Sequence, residues 1–460
     1  MQAYRFTSHE GFDHDSIDSF GYDWGRIGDR ATRPIRPLKI YLPETTEDLV
    51  AVLTETHLLG QRPTIRSKGH SSNDLVLNDR GAVIGTQMMT GIVALDEPNA
   101  QVTIRSGTVL ADLDEELAKH HLGLKIIGDH NHITAGGFAS VGGISPASHR
   151  FGLFLDTVLA LDLVTWEGAV VHYDKATDPA GLNRVLGSCG RLGVIATMTL
   201  DLQRVDKWVE LVHNRRVITR DMTRFIAHSG KIIADPGDAV MERGVWLEYP
   251  IGKRMLTLGQ FSSYHATEQS SWARFVDRVH YGYLHWIGDR AGRSAAWLEK
   301  VLKVLGMLGI IYSPKYATLK NVETFSDRII DSSEGDPLRM LIVLAPMDRY
   351  EALFRGLHAI LDRFRRDHDA FAFISFYVKA IKSAWLSGGE AQPFCELMLY
   401  LGIRPGLTPE LLTALVADID ALCIAQGGFR YMHTKTSKNA DIRAKVDPNS
   451  VHYSADMPWT

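Results

Sequence analysis

The stretch RSKGHSSND (66–74) sets Arg66, Lys68, Gly69 and His70 together and follows them with two serines, an asparagine and an aspartate. It offers positive charge, a position without a Cβ, a titratable imidazole and short polar side chains. A surface turn would account for the polarity. A loop wrapped around an anionic cofactor accounts for the whole composition. Two more segments are poor in large side chains, GDHNHITAGGFASVGGISPASHRFG (128–152) and GSCGRLGV (187–194). Small residues let a backbone approach a ligand closely. Three such loops in one half of the chain point to one large ligand touched at several places, with three ordinary turns as the alternative. His130 and His132 flank Asn131 and would share one face of a strand, but no third ligand follows at a metal spacing. Structure or substrate contact is expected of them, and no metal site. Cys189, in the third loop, is expected to be a small packing residue.

These loops need elements to hold them. PTIRS (63–67) reads as a short strand leading into the first loop, followed by strands in GAVIGTQM (81–88) and AQVTIRSG (100–107), the latter with period-2 alternation. TVLADLDEELAKHHLGL (108–124) predicts an amphipathic helix with Leu110, Leu113 and Leu117 on one face. LALDLVTWEGAVVHYD (159–174) predicts a hairpin turning at Glu167-Gly168, and GVIATMTLDLQRV (193–205) a closing strand. From about 206 the pattern changes. GVWLEYPIGKRMLTLGQFSSY (244–264) reads as a hairpin and 270–290 as an aromatic-rich helix. PLRMLIVLAP, AFAFISFYV and PFCELMLYLG read as strands, set among helices at 348–368 and 408–428. Strands punctuated by long helices imply an antiparallel sheet with helices on one face, an α+β fold.

Composition sets the outer bounds. With 460 residues and 45% hydrophobic content, the chain can build sizeable cores, and two domains are expected rather than one. A net charge of −4 and a pI near 6.6 ask for neither nucleic acid nor an anionic membrane. Residues 1–20 show no secretory pattern, and the longest apolar run, VLKVLGMLGIIY (301–312), is too short to span a bilayer. Three scattered cysteines, Cys189, Cys395 and Cys423, make no disulfide framework and suit a cytoplasmic protein.

The order DWGRI (23–27), RSKGHS (66–71), ITAGGFASVGGIS (133–145), hairpin, GSCGRLGVI (187–195) resembles the FAD-binding, PCMH-type domain of the vanillyl-alcohol-oxidase family, and within it the cytokinin dehydrogenases. The likeness continues through FSDRII (325–330), KSAW (382–385) and VDP (446–448). It implies a two-domain α+β fold. An FAD-binding domain would cover 1–205, completed by 429–460, and an antiparallel-sheet substrate (cap) domain would cover 206–428. There is no Rossmann G-x-G-x-x-G opening a helix. Instead, Ser67, Lys68, Gly69, His70 and Ser71 match the loop whose inward N–H groups bind the FAD pyrophosphate. Thr134, Gly136, Gly137, Ser140 and Ile144 match the second cofactor segment and Ile195 the third. Tyr431 and Ser454 fall where the chain returns to cover the flavin.

By the same resemblance, His70 is bonded to the flavin 8α carbon, an imidazole nitrogen being a competent nucleophile there. The alternative is a histidine that only hydrogen-bonds in its loop. Asp129, five residues before Thr134, resembles the general base that takes a proton from substrate as hydride leaves for flavin N5. The alternative is a loop aspartate capping a turn after Gly128. Trp246, Glu248, Tyr377, Lys382 and Trp385 are candidates for the substrate wall, although aromatics on such strands are more often core. The implied activity is an FAD-dependent oxidase or dehydrogenase. It would act on a C–H beside an amine or alcohol of a small molecule, with O₂ or a quinone as acceptor, in a monomer or homodimer. Two other readings stay open: a flavin-dependent sugar oxidase or epimerase-type enzyme of the same fold, and a flavin-binding protein without catalysis.

Overall fold

The computed structural model describes residues 20–21, 24, 36–71, 76–251, 254–268, 270–291, 293–294, 296–327, 330 and 338–431. Its frame is three sheets. The smallest is parallel and joins β1 (Lys39–Tyr41), β3 (Ala82–Gly85) and β2 (Thr64–Arg66), in that order. Between β1 and β2 runs helix α1 (Thr46–Leu58), opened by a capping box in which Thr45 and Asp48 satisfy each other's backbone N–H groups. Its Leu49 and Leu53 are fully buried against Ile84, Val164 and Trp166.

The second sheet is antiparallel. Its order is β4 (Ile92–Asp96), β5 (Gln101–Arg105), β9 (Gly193–Arg204), β7 (Val158–Thr165) and β8 (Val170–Asp174). The β7–β8 hairpin turns at Glu167-Gly168, with Gly168 at φ +85°, a value that favours glycine. Helix α2 is shorter than its sequence pattern predicts. It spans Leu110–Ala118, and after His121 (φ +53°) the chain extends as β6 (Leu122–Leu124), which pairs with β9. Leu122 and Leu124 are buried, and the Leu124 N–H donates to Asp114 at 3.1 Å. Tertiary pairing thus overrides helix propensity in the last turn.

The third sheet has eight antiparallel strands. They run β13 (Tyr316–Thr318), β10 (Leu211–Thr219), β12 (Arg254–Ala266), β11 (Met241–Ile251), β15 (Phe371–Ser383), β16 (Gln392–Ile403), β14 (Leu338–Pro346) and β17 (Phe429–Arg430). Three amphipathic helices, Met222–Ala234, Tyr350–His368 and Pro409–Ala425, cover one face, packing Phe225, Leu353, Phe354 and Leu415 on Trp246, Phe376, Val378 and Leu397. This is the one-sided helical cover that the sequence predicts. Residues 429–430, at the start of the segment expected to return over the cofactor, pair with β14 as β17. Ser454 and the VDP motif lie outside the described residues.

Strand period then decides what faces where. On β15, Ile374, Phe376 and Val378 enter the helix-side core, while Phe373, Ser375, Tyr377 and Lys379 point the other way. On β16, Leu397 and Leu399 face the helices, while Glu396, Met398 and Tyr400 do not. A second core joins the two large sheets, running from Ile104, Leu161 and Leu200 to Ile342, Leu344 and Ile381.

Where β11 and β15 part, Glu242 is fully buried. One oxygen accepts the Ala380 N–H at 3.1 Å and the other has no hydrogen-bond partner. Burial pushes its carboxyl from 4.5 up to about 8, against the small opposing effect of that hydrogen bond. The fold therefore keeps a proton that the unfolded chain releases, so stability is full below pH 4.5 and declines as pH rises through about 8. Glu242→Gln should remove that decline and raise stability at pH 8 by roughly 1–3 kcal/mol, measured by denaturant unfolding at several pH values. An unchanged pH profile would show that Glu242 is solvated or otherwise compensated.

Candidate active site

Between the eight-stranded sheet and the small-residue loops lies a cavity of about 770 Å³, within the size range of small-molecule and cofactor sites. The loop after β2 supplies Ser67, Lys68, Gly69, His70 and Ser71; the second segment supplies Thr134, Gly136, Gly137, Ser140 and Ile144; the third supplies Cys189, Gly193 and Ile195. All three small-residue loops, far apart in sequence, meet at this one cavity. Tyr431 closes it from the C-terminal side.

Local structure explains how the loops are held. Gly69 has φ +72°, and a Cβ there would stand 1.9 Å from the guanidinium of the buried Arg66 packed beneath the loop. The backbone N–H of buried Trp24 donates to both Gly69 and Ser71 carbonyls at 2.9 Å, pinning the loop from above. Of the DWGRI motif, only Trp24 is among the described residues; its indole lines the cavity beside Tyr400, with ring centres 6.4 Å apart. Ser67 and Thr86 share a short hydroxyl–hydroxyl hydrogen bond. Gly136 packs on Ser106, where a Cβ would come within 2.7 Å. The Gly143 N–H donates to the Tyr431 hydroxyl. Cys189 packs against the core as expected; it also holds φ +55°, donates its N–H to Ser140 O at 2.9 Å and lines the cavity, with burial pushing its thiol pKa up.

Asp129 stands at the opposite wall. Its carboxylate is 2.5 Å from Lys379 Nζ and 3.7 Å from Arg243. Its Oδ1 is enclosed and accepts no hydrogen bond. Ser326 donates to the Asp129 carbonyl at 2.8 Å, and Asp327 accepts from the Asn131 N–H and side-chain amide at 3.2 and 3.0 Å, so the 129–131 loop is fixed from below. Lys379 also reaches Glu396 at 3.1 Å. Burial opposes the Lys379 ammonium, but the two carboxylates outweigh it and raise its pKa. Burial, aided by the Asp129 charge, leaves the Glu396 carboxyl above its ordinary range despite Lys379. Burial and then Asp129 push Tyr377 up to about 12, so it stays a neutral phenol. The His70 ring lies 4.4 Å from that of His130, which in turn lies 5.6 Å from that of His132. Among the described residues, no group of three or more His, Cys, Asp or Glu is arranged to hold a metal ion.

Of the five residues expected on the substrate wall, only Tyr377 lines the cavity. Trp246 and Glu248 share a strand parity that faces the helices, the opposite side of β11 from the cavity-lining Leu247 and Tyr249. Glu248 is instead locked by His358 (2.6 Å), Arg365 (2.5 Å) and Trp246 (3.1 Å). Burial alone would raise its pKa; these donors hold it down to about 2. Lys382 is exposed, one position off the inward parity of Lys379. Trp385 lies beyond the end of β15 and donates its indole N–H to Asn183 O at 3.0 Å. Lys379, Glu396 and Arg243 were not expected in the site. For Lys379 and Glu396 the signal was a lone charge inside an otherwise apolar strand, in AFAFISFYVKAI and PFCELMLYL; Arg243, next to Glu242 in MERGVWLEY, carried no such signal.

The cavity fits FAD on several counts. Its loop side is walled by glycine, serine and threonine, it presents Lys68 to an anion, and the Ser106 hydroxyl is enclosed without a hydrogen-bond partner. Comparison with known proteins agrees. Residues 37–174 match the family model described as FAD binding domain. L-gulonolactone oxidase of Bos taurus is 30% identical over 164 residues, 36% of this chain and 37% of that protein. Cytokinin dehydrogenase 2 of Arabidopsis thaliana is 25% identical over 239 residues, 50% and 46% of the two chains. (R)-6-hydroxynicotine oxidase of Paenarthrobacter nicotinovorans is 28% identical over 148 residues, 32% of each. The matched stretches span less than half the length of these relatives. The domain match lies on the part of the chain that builds the first loop and the Asp129 wall, so residues 37–174 carry an FAD-binding domain of the PCMH type.

Proposed function

We propose that this protein is an FAD-dependent oxidoreductase that oxidises a C–H beside an amine or hydroxyl of a small molecule, with Asp129 as proton acceptor. The observation that carries this reading is the Asp129 carboxylate, anchored by Lys379 at the wall of a cavity fit for a flavin. FAD would be held by the 67–71 loop, Thr134, Gly136, Gly137 and Ile195, and would supply a hydride acceptor. A substrate N–H or O–H would give its proton to the Asp129 carboxylate, whose orientation is fixed by Lys379 on Oδ2 at 2.5 Å and Arg243 near Oδ1 at 3.7 Å. When Asp129 becomes neutral, Lys379 still faces the Glu396 carboxyl, so its charge is not left alone in a buried site. The phenol of Tyr377 is available as a donor to the substrate. The named relatives are a gulonolactone oxidase, a cytokinin dehydrogenase and a hydroxynicotine oxidase, which supports searching among both alcohols and amines for the substrate. Electrons would pass on to O₂ or a quinone-type acceptor. His70, in the loop nearest His130, is proposed as the covalent anchor of the flavin.

Two experiments test this. Anaerobic mixing with a panel of amines and polyols should bleach the bound flavin with at least one of them. Asp129→Asn should slow that reduction by roughly two to four orders of magnitude, the scale of a lost acid–base group; reduction at wild-type speed would remove Asp129 from the mechanism. Acid precipitation should leave colour in the wild-type pellet and none in that of His70→Ala. A coloured His70→Ala pellet would place the bond elsewhere. The charge network makes a separate prediction. Lys379→Met leaves buried Glu396 without its cation and Asp129 with only Arg243 at 3.7 Å, and should cost about 3–5 kcal/mol at pH 8. Adding Glu396→Gln should restore part of that loss. A Lys379→Met protein as stable as wild type would mean the pair is solvent-relaxed.

A further inference from the structure

Two helices away from the cofactor loops carry an unusual surface, α3 (Ser271–Ala291) and α4 (Ala296–Ile311), the second also reaching the cavity wall. A helix in a globular protein normally has one apolar stripe, turned to the core. The first of these has two. Ala273, Asp277, Leu284, Ile287 and Ala291 make the buried stripe. Trp272, Phe275, Val279, Tyr283 and Trp286 are all exposed, from 38% to 72%. At 3.6 residues per turn these five fall within an arc of about 80°, clear of the buried stripe. The second helix repeats the pattern with Trp297, Val301, Val304, Leu305 and Leu308, exposed from 37% to 71%.

The two stripes form one surface. The helices are locked together by His280 Nε2 on the Gly309 carbonyl at 3.0 Å, by the Tyr283 hydroxyl donating to the Leu305 carbonyl at 3.1 Å, and by Ile287, Ala291 and Leu302 packing between them. Charge around them is one-sided. Residues 270–315 contain seven Lys or Arg and three Asp or Glu, in a chain whose net charge is −4. Of the three acids, Asp277 is buried and bonded to Thr318 and Asn321, and Glu299 pairs with Lys303 at 2.6 Å. Arg278, Arg290 and Arg293 are exposed. Finally, the surface runs into the cavity: Val304 is 37% exposed and also lines it, as do Lys303, Met307 and Ile310 of the same helix.

Tryptophan and tyrosine rings with a basic flank suit the interface of an anionic bilayer, where aromatic rings sit at headgroup depth and Arg or Lys meets lipid phosphate. No helix among the described residues is long and apolar enough to cross a membrane. We propose that this face docks peripherally on an anionic lipid surface, with the α4 wall of the cavity turned to the lipid. The overall charge of the chain hides this local basic patch. If the flavin reading above also holds, an apolar substrate or a lipid-dissolved acceptor could enter the cavity past Val304. The docking itself does not depend on that reading.

Flotation of the full chain with phosphatidylcholine vesicles, with and without phosphatidylglycerol, tests it. The wild type should float with the phosphatidylglycerol vesicles, with its indole emission shifted to the blue, and binding should weaken in high salt. The triple variant Trp272→Ser/Trp286→Ser/Trp297→Ser, with an unchanged melting curve, should bind about tenfold or more weakly. Leu58→Ser/Leu59→Ser, which removes exposed apolar residues at the end of α1, should bind as wild type does. No flotation of the wild type, or equal flotation of the triple variant, would overturn the proposal. So would a wild-type dimer that the triple variant dissolves, since a second copy would then cover the face. The readout is vesicle binding alone, so failure here leaves the flavin reading standing, and a protein without flavin could still float.

Discussion

A charge taken out of water must be met by other charges or by hydrogen bonds, and two buried networks impose that demand where the sheets of this protein meet. In one, Asp114 from α2 accepts from Lys207 at 3.0 Å and Lys320 at 3.1 Å, and Lys207 also meets Glu323 at 2.9 Å. Burial opposes the Asp114 carboxylate, but the two ammonium groups win and hold its pKa low, whereas burial beside Asp114 pushes Glu323 up to about 7. In the other, Asp129, Lys379, Glu396 and Arg243 connect a loop of the cofactor side to three strands of the eight-stranded sheet. Any shift of one sheet against the other would strand a charge. The placement of Asp129 over the cavity follows from that constraint, more than from packing, which tolerates small slips.

The same constraint explains what could be read from the sequence and what could not. The cofactor loops were legible because their composition is local: Gly69, His70, Thr134 and Gly136 need no partner to be recognised as a small-residue cradle. Long strands and amphipathic helices were legible for the same reason. Facing was not. Trp246 and Glu248 belong to a strand with buried residues on both sides, so alternation says that two faces exist but not which one meets the cavity. Only the cover of the Phe225 and Phe354 helices on one side decides it. Lys379 and Lys382 lie three residues apart on one strand, and parity sends the first inward and the second to solvent.

One other difference was set by tertiary contact. The 108–124 helix stops at Ala118 because β9 offers an edge to Leu122–Leu124. Helix α1 did carry a readable signal, the Thr45 and Asp48 capping box ahead of an apolar periodicity, yet it has only a shallow buried stripe of Leu49, Leu53 and Thr56. The exposed aromatic stripe of α3 was visible as aromatic richness, but only the burial pattern separates a second apolar face from the core one.

The chemistry proposed for this protein depends on the cavity at the sheet junction holding FAD. The most direct measurement is the visible absorption spectrum of the FAD-supplemented protein after gel filtration. Stoichiometric flavin absorbance travelling with the folded chain, with bands altered from those of the cofactor in water, is the predicted result. A folded protein that elutes colourless would contradict the account at its centre.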